Sequence, residues 1–274
     1  MKTVLPAIAA AAFFPVLPGS AAATALPSVR SAQEALPESI ARETLAASSR
    51  ALDFLEASVG SASPRDALFA EGAKCIFFEA GSALPEPLRL RFESLANSAA
   101  LSPAEAVFCL VAADGAAARN GWRKLAERHI GSRPSPAEVA ARALARVEAR
   151  RQGGETAPAD VPPQDFVAHL RHFASSLNLK AADSASFRAV RDPLDPETAF
   201  LAALAGLSLP PRCLAGENPV FPKDWRRRIA DRLIAQQSFD FKTGLSFWPR
   251  RDDPESPDVR ETAFALAALS LVAR

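Results

Sequence analysis

Apolar positions recur along this chain at helical spacing, and the segments they mark alternate between two kinds. One kind is charged and amphipathic. From Glu38 to Val59 its apolar positions are Ile40, Leu45, Leu52 and Leu55, and it stops at Gly60. The segment Trp225 to Gln237 follows the same plan. The other kind is apolar most of the way round, as in the run from Glu261 to Val272, and such a helix must be covered on several sides. Its starts are written alike: Ser63-Pro-Arg-Asp66, Ser102-Pro-Ala-Glu105 and Ser135-Pro-Ala-Glu138. Each supplies a serine N-cap, proline at the first helical position and an acid at the third. Asp195-Pro-Glu197 is a variant, and Ser256-Pro-Asp258 introduces the last helix. Gly81, Gly115 and Gly153-Gly154 mark stops.

Sorted by polarity, the segments form five hairpins. First helices start near residues 38, 86, 118, 163 and 222, and second helices near 64, 103, 136, 196 and 258. The second helices are the more apolar members, except that Ala137 to Arg151 carries more arginine. Five apolar helices inside five amphipathic ones predict an all-α fold: an α/α toroid, or a tightly curved solenoid, of about five helical hairpins over residues 38–274. Glu197-Thr-Ala-Phe200 and Glu261-Thr-Ala-Phe264 lie 64 residues apart, about twice a repeat-sized period. The turns inside the first three hairpins are short. In the fourth and fifth they run to about 18–20 residues, over 178–195 and 238–257, and long ordered loops usually carry binding or chemistry.

Composition agrees with the helical reading, since β-branched and aromatic residues are sparse and tyrosine is absent. Lysine plus arginine number 32 against 31 acids, which gives no general case for a nucleic-acid or anionic-membrane partner. Residues 1–25 read as a secretory signal peptide: Lys2, an apolar stretch from Val4 to Leu17, and small residues at Ala21 to Ala25. The stretch is too short and too rich in proline for a spanning helix. The mature chain is therefore expected to be exported, periplasmic or extracellular, without a transmembrane anchor, and residues 26–37 to form a mobile segment. Cys75, Cys109 and Cys213 are too few and too odd in number for a disulfide framework. Cys75 and Cys109 read first as small buried hydrophobes, with a single bridge between them as the alternative.

Trp225 to Leu271 resembles a repeat of the terpenoid-cyclase and protein-prenyltransferase α/α-toroid superfamily. The residues that carry the resemblance are Leu233-Ile-Ala-Gln-Gln237, Gly244, Trp248, Asp258 and Thr262-Ala-Phe-x-Leu-x-x-Leu269. The likeness covers about 50 residues, is partial over 178–209, and elsewhere amounts to helix spacing. It implies a toroid with a structural role for the tryptophan. The family's catalytic residues are missing. Glu261 stands where prenyltransferases carry a zinc-binding histidine. Arg251-Asp-Asp253 and Phe239-Asp-Phe241 are only fragments of the cyclases' Asp-x-Asp-Asp acid. Neither prenyl transfer nor squalene-type cyclisation is expected, nor any metal or other cofactor. His129, His169 and His172 lie on charged helices, and no third ligand joins the last two.

The remaining candidates lie around the two long loops. Capping accounts for Glu105 and Glu138, whereas Glu197 and Glu261 also border the loops. Asp192, Asp252 and Asp253 sit among Arg188, Arg191, Arg250 and Arg251, either as surface ion pairs or as a site for an anionic or sugar-like group. Trp248 is an anchor for its loop or a stacking platform. The expected ligand-binding set is Arg191, Asp192, Glu197, Trp248, Arg251, Asp252, Asp253, Asp258 and Glu261, on a rim formed by 178–195 and 239–257. The function this supports is a module that binds a small ligand or protein. The alternative is a secreted carbohydrate-active enzyme using rim carboxylates.

Overall fold

The structure, a computed structural model, describes residues 36–78, 85–96, 101–113, 135–136, 139–140, 164–177, 194–208 and 219–274. The signal segment, nearly all of 26–37, the helix expected near 118, the loop 178–193, His129, Glu138 and Cys213 lie outside the described residues. Among the described residues the chain is mostly helical, with eight helices and four short strands. The helices are α1 (Glu38–Ser58), α2 (Pro64–Phe77), α3 (Glu86–Ala96), α4 (Pro103–Ala113), α5 (Gln164–Ser176), α6 (Pro196–Ser208), α7 (Trp225–Gln236) and α8 (Val259–Ala273). Pro136, Val139 and Ala140 are helical as well. No described helix is long and apolar enough to cross a membrane.

The second helices start as their sequences dictate. Ser63 Oγ accepts the Asp66 N–H, and Pro64 takes the first helical position of α2. Ser102 and Glu105 cap one another reciprocally at α4. Asp195 Oδ2 accepts the Thr198 N–H at α6, and Asp258 Oδ1 accepts the Glu261 N–H at α8. Apolar residues all round require cover all round, and every residue of α8 from Thr262 to Val272 is buried. It packs against α2 and α6 on its flanks, and against α1 and α7. In α1 the buried stripe is Ile40, Thr44, Ala47, Ser48, Ala51, Phe54 and Leu55. Leu45, expected on that face, is 62% exposed because it sits one position past the stripe.

Four phenylalanines, one from each of α2, α4, α6 and α8, meet at the centre. Ring centroids lie 5.2 Å apart for Phe69–Phe108, 5.3 Å for Phe108–Phe200 and 5.6 Å for Phe200–Phe264. Phe264 also reaches Phe108 at 4.8 Å and Phe69 at 5.8 Å. These are tilted and edge-to-face contacts, the arrangements that ring quadrupoles favour. All four side chains are essentially inaccessible to solvent. Around this cluster the helices approach closely. A Cβ on Gly206 of α6 would lie 2.7 Å from the Trp225 ring of α7, so only glycine admits that indole.

The 238–257 connection, read as a loop, holds two antiparallel ribbons. β1 (Ser238–Asp240) pairs with β2 (Leu245–Phe247), and β3 (Pro249–Arg250) with β4 (Asp253–Pro257). The first turn closes because Gly244 adopts φ +73°, with its N–H donating to Asp240 O at 2.8 Å. Trp248 lies between the ribbons and is buried. Its Nε1–H donates to Leu233 O and its backbone N–H to Thr262 Oγ1, each at 3.0 Å. The first and last described hairpins are also joined directly. Gln237 accepts from Arg50 through Oε1 and donates to Ala47 O, and Arg274 donates to Ile76 O.

Candidate functional site

The N-terminal ends of α2, α4, α6 and α8 carry a cluster of charges over the phenylalanines. Its hub is Arg260, in the first turn of α8. Nε donates to Glu105 Oε1 at 2.9 Å, Nη1 to Glu261 Oε1 at 2.9 Å, and Nη2 to Glu197 Oε2. Its guanidinium carbon lies 5.0 Å from the centroid of the Phe264 ring, so the cation rests on the aromatic cluster. Arg65, from the first turn of α2, donates to Glu105 Oε2 at 2.6 Å. Three helices thus converge on one guanidinium, and a fourth joins through Glu105.

The three carboxyls differ in their surroundings. Burial pushes the Glu105 carboxyl up, but bonds from Arg65, the Ser102 N–H and Arg260 outweigh it and hold the group below the usual range. Glu197 is pushed up, chiefly by burial, against the pull of Arg260. Glu261 is pushed up to about 7 by burial, only partly offset by Arg260 and reinforced by Asp195, Asp258 and Glu197. Its Oε2 is buried and has no hydrogen-bond partner among the described residues. Arg260 is held above its ordinary value, because the three glutamates outweigh the cost of its burial.

This asymmetry has a pH signature. The Glu261 carboxyl keeps its proton in the folded chain up to about pH 7, whereas an ordinary glutamate releases it near 4.5. Folding therefore takes up a proton between those values, so stability falls as pH rises across that window and levels off above it. The expected size is about 3 kcal/mol. Glu261→Gln keeps an acceptor for Arg260 and removes the titration. Urea unfolding at pH 5 and pH 8 should show that fall in the parent chain and a markedly flatter profile in the variant. Equal slopes in the two would overturn the assignment.

Of the residues expected from sequence, the structure brings Glu197 and Glu261 together around Arg260. Asp258 stands beside them as the α8 N-cap, and Arg250 Nε approaches its Oδ2 at 3.5 Å. Arg251, Asp252 and Asp253 are exposed on the turn of the second ribbon, where Asp253 Oδ1 accepts the Glu255 N–H. Trp248, at 1% exposure, is the loop's anchor and offers no stacking face to a ligand. Arg191 and Asp192 lie outside the described residues. Glu105 needs a correction, since capping alone does not account for it: one carboxylate serves both the cap and the ion network. Arg260 and Arg65 were not singled out in the sequence. The signal was present, because each is an arginine in the first turn of a largely apolar helix, where the dipole disfavours a cation.

No group of three or more metal-ligating side chains occurs among the described residues. Cys75 and Cys109 are free, and burial raises their thiols to about 11 and about 12. Both are therefore poor nucleophiles. Comparison with protein-family models, curated proteins and solved structures finds no match for this chain.

Proposed function

We propose that the protein is an exported α/α toroid of about five helical hairpins that works as a binding module, with its partner surface on the rim at the N-terminal ends of the second helices. Closure into a ring is supported by α8, which packs against both α2 and α6, while α7 packs against α1. The observation that carries the functional reading is the filled centre. Rings in mutual contact at 4.8–5.8 Å leave no chamber between them for a polyprenyl chain, so recognition falls to the surface. On that surface the exposed turn of Arg251, Asp252 and Asp253 borders the α8 N-terminus through the Arg250–Asp258 contact.

The test uses Arg251→Ala/Asp253→Ala, both solvent-exposed and remote from the core. Partners of the exported protein are captured by cross-linking and each is then titrated with the parent and the variant. The reading expects at least a tenfold loss of affinity with an unchanged melting temperature, since surface changes of this type leave stability within about 0.5 kcal/mol. Unaltered affinity for every partner overturns it. Export is checked separately by the mass of the mature chain, which should begin near the small-residue site at Ala21–Ala25.

One observation favours an enzyme as the second reading. Glu261, protonated to about pH 7, stands beside Glu197 in the same mouth, and a raised carboxyl is what a general acid needs. Hydrolysis of a polysaccharide that both Glu261→Gln and Glu197→Gln abolish would establish it. Glu105 is excluded from such a role, being buried with both oxygens occupied.

A further inference from the structure

A second site lies between the first two hairpins and borders the rim only at the first turn of α2. A groove of about 620 Å³ runs between α2 and α3, with Leu101 also in its lining. That size falls within the roughly 300–1,000 Å³ typical of small-molecule sites. Each helix offers it a similar stripe. From α2 come Pro64, Arg65 and Leu68, and from α3 come Leu90, Arg91 and Leu95. The spacing of one and then three or four residues puts each set on a single helix face.

The chemistry of the lining is uneven. Leucines supply half of its described residues, and Leu90 is 51% exposed although it faces the groove. Among the described residues of the lining, the charged ones are two arginines, with no acid. Arg91 is exposed and has no ion-pair partner among the described residues. Arg65 is 46% exposed and gives only Nη2 to Glu105, which leaves Nε and Nη1 without a partner among the described residues. A neutral hydrocarbon in this groove would cover guanidinium groups and offer them nothing. A cation would be repelled. A small inorganic anion would leave the leucines wet. The complement to both features is one molecule with an apolar tail and an anionic head, and a planar carboxylate suits a guanidinium fork.

We infer that the α2–α3 groove binds a single-chain amphiphile with a carboxylate head, of the fatty-acid class, with its tail along Leu68, Leu90, Leu95 and Leu101 and its head on Arg91 and the free edge of Arg65. The site shares no residue with the rim turn and does not rest on the rim reading.

The test is calorimetric titration of the full chain with dodecanoate, decanoate, dodecanol and dodecyltrimethylammonium, each below its micelle concentration. Dodecanoate should bind at a saturable single site and more tightly than decanoate by about fifteenfold, at about fourfold for each of the two extra methylenes. The alcohol and the ammonium compound should bind at least tenfold more weakly. Arg91→Gln and Leu90→Asn, both at exposed positions, should each weaken dodecanoate by at least fivefold without lowering the melting temperature. Arg251→Ala/Asp253→Ala should leave the titration unchanged. Unsaturable uptake, equal affinity for dodecanoate and dodecanol, indifference to Arg91→Gln, or no binding would each overturn the site.

Discussion

Arg260→Met is expected to lose about 3–5 kcal/mol of stability near pH 8, as when one partner is removed from a buried charge cluster. The substitution keeps much of the aliphatic volume over Phe264 but withdraws three hydrogen bonds, one from each glutamate. Glu105 retains Arg65 and the Ser102 N–H, whereas Glu197 and Glu261 are left mostly buried with no cation between them. The loss should shrink at pH 5, where Glu261, with its value near 7, is already protonated, and the upward shift of Glu197 acts in the same direction. Adding Glu197→Gln and Glu261→Gln should restore much of it at pH 8, because the penalty arises from unpaired charge rather than lost volume. Urea unfolding at the two pH values checks all three statements. A loss below about 1 kcal/mol that is the same at both would show that the cluster is solvated and the hub is unimportant.

Phe264→Ala should cost a similar amount, about 3–5 kcal/mol, for a different reason. Its ring touches Phe69, Phe108 and Phe200 and carries the Arg260 guanidinium on its face. Truncation opens a cavity that three rings from three other helices cannot all move to fill, and it removes the surface on which the cation rests. The Phe241→Ala control alters a ring that is 91% exposed at the tip of the first ribbon, and should stay within about 0.5 kcal/mol. Thermal and urea unfolding distinguish the pair. Comparable losses in the two variants would mean that the four-ring contact is not the centre of the core.

The helix starts were legible because their chemistry is local. Ser63, Ser102 and Asp258 each meet a backbone N–H three residues on, and sequence spacing states that relation directly. The pairing of amphipathic with apolar helices was legible for a related reason, since periodicity reports how many sides a helix must bury. The charge cluster was not. Glu105 and Arg260 are 155 residues apart, and a first-turn glutamate looks the same whether it only caps or also holds a distant guanidinium. The meeting of Phe69, Phe108, Phe200 and Phe264 was not legible either, because one-dimensional spacing does not show that four separate apolar helices turn these rings toward one another. The ribbons of 238–257 were missed for want of length: strands of two to five residues give alternation too little room to register.

The direct bonds between the first and last described hairpins bear on how the chain acquires its structure. Arg50 and Gln237 are 187 residues apart, and Ile76 and Arg274 are 198 apart. The helix that packs against α1, α2, α6 and α7 is also the last to be synthesised of those described. During translation α1 and α2 emerge with apolar faces whose main cover is still unmade, so they cannot complete their packing as a vectorial unit. Closing so long a loop comes before its contacts repay it, which places this fold among the slow folders of its size despite its helical content. The intermediate that waits is a set of formed helices with open apolar faces, a state that chaperones recognise and that aggregates when they are scarce.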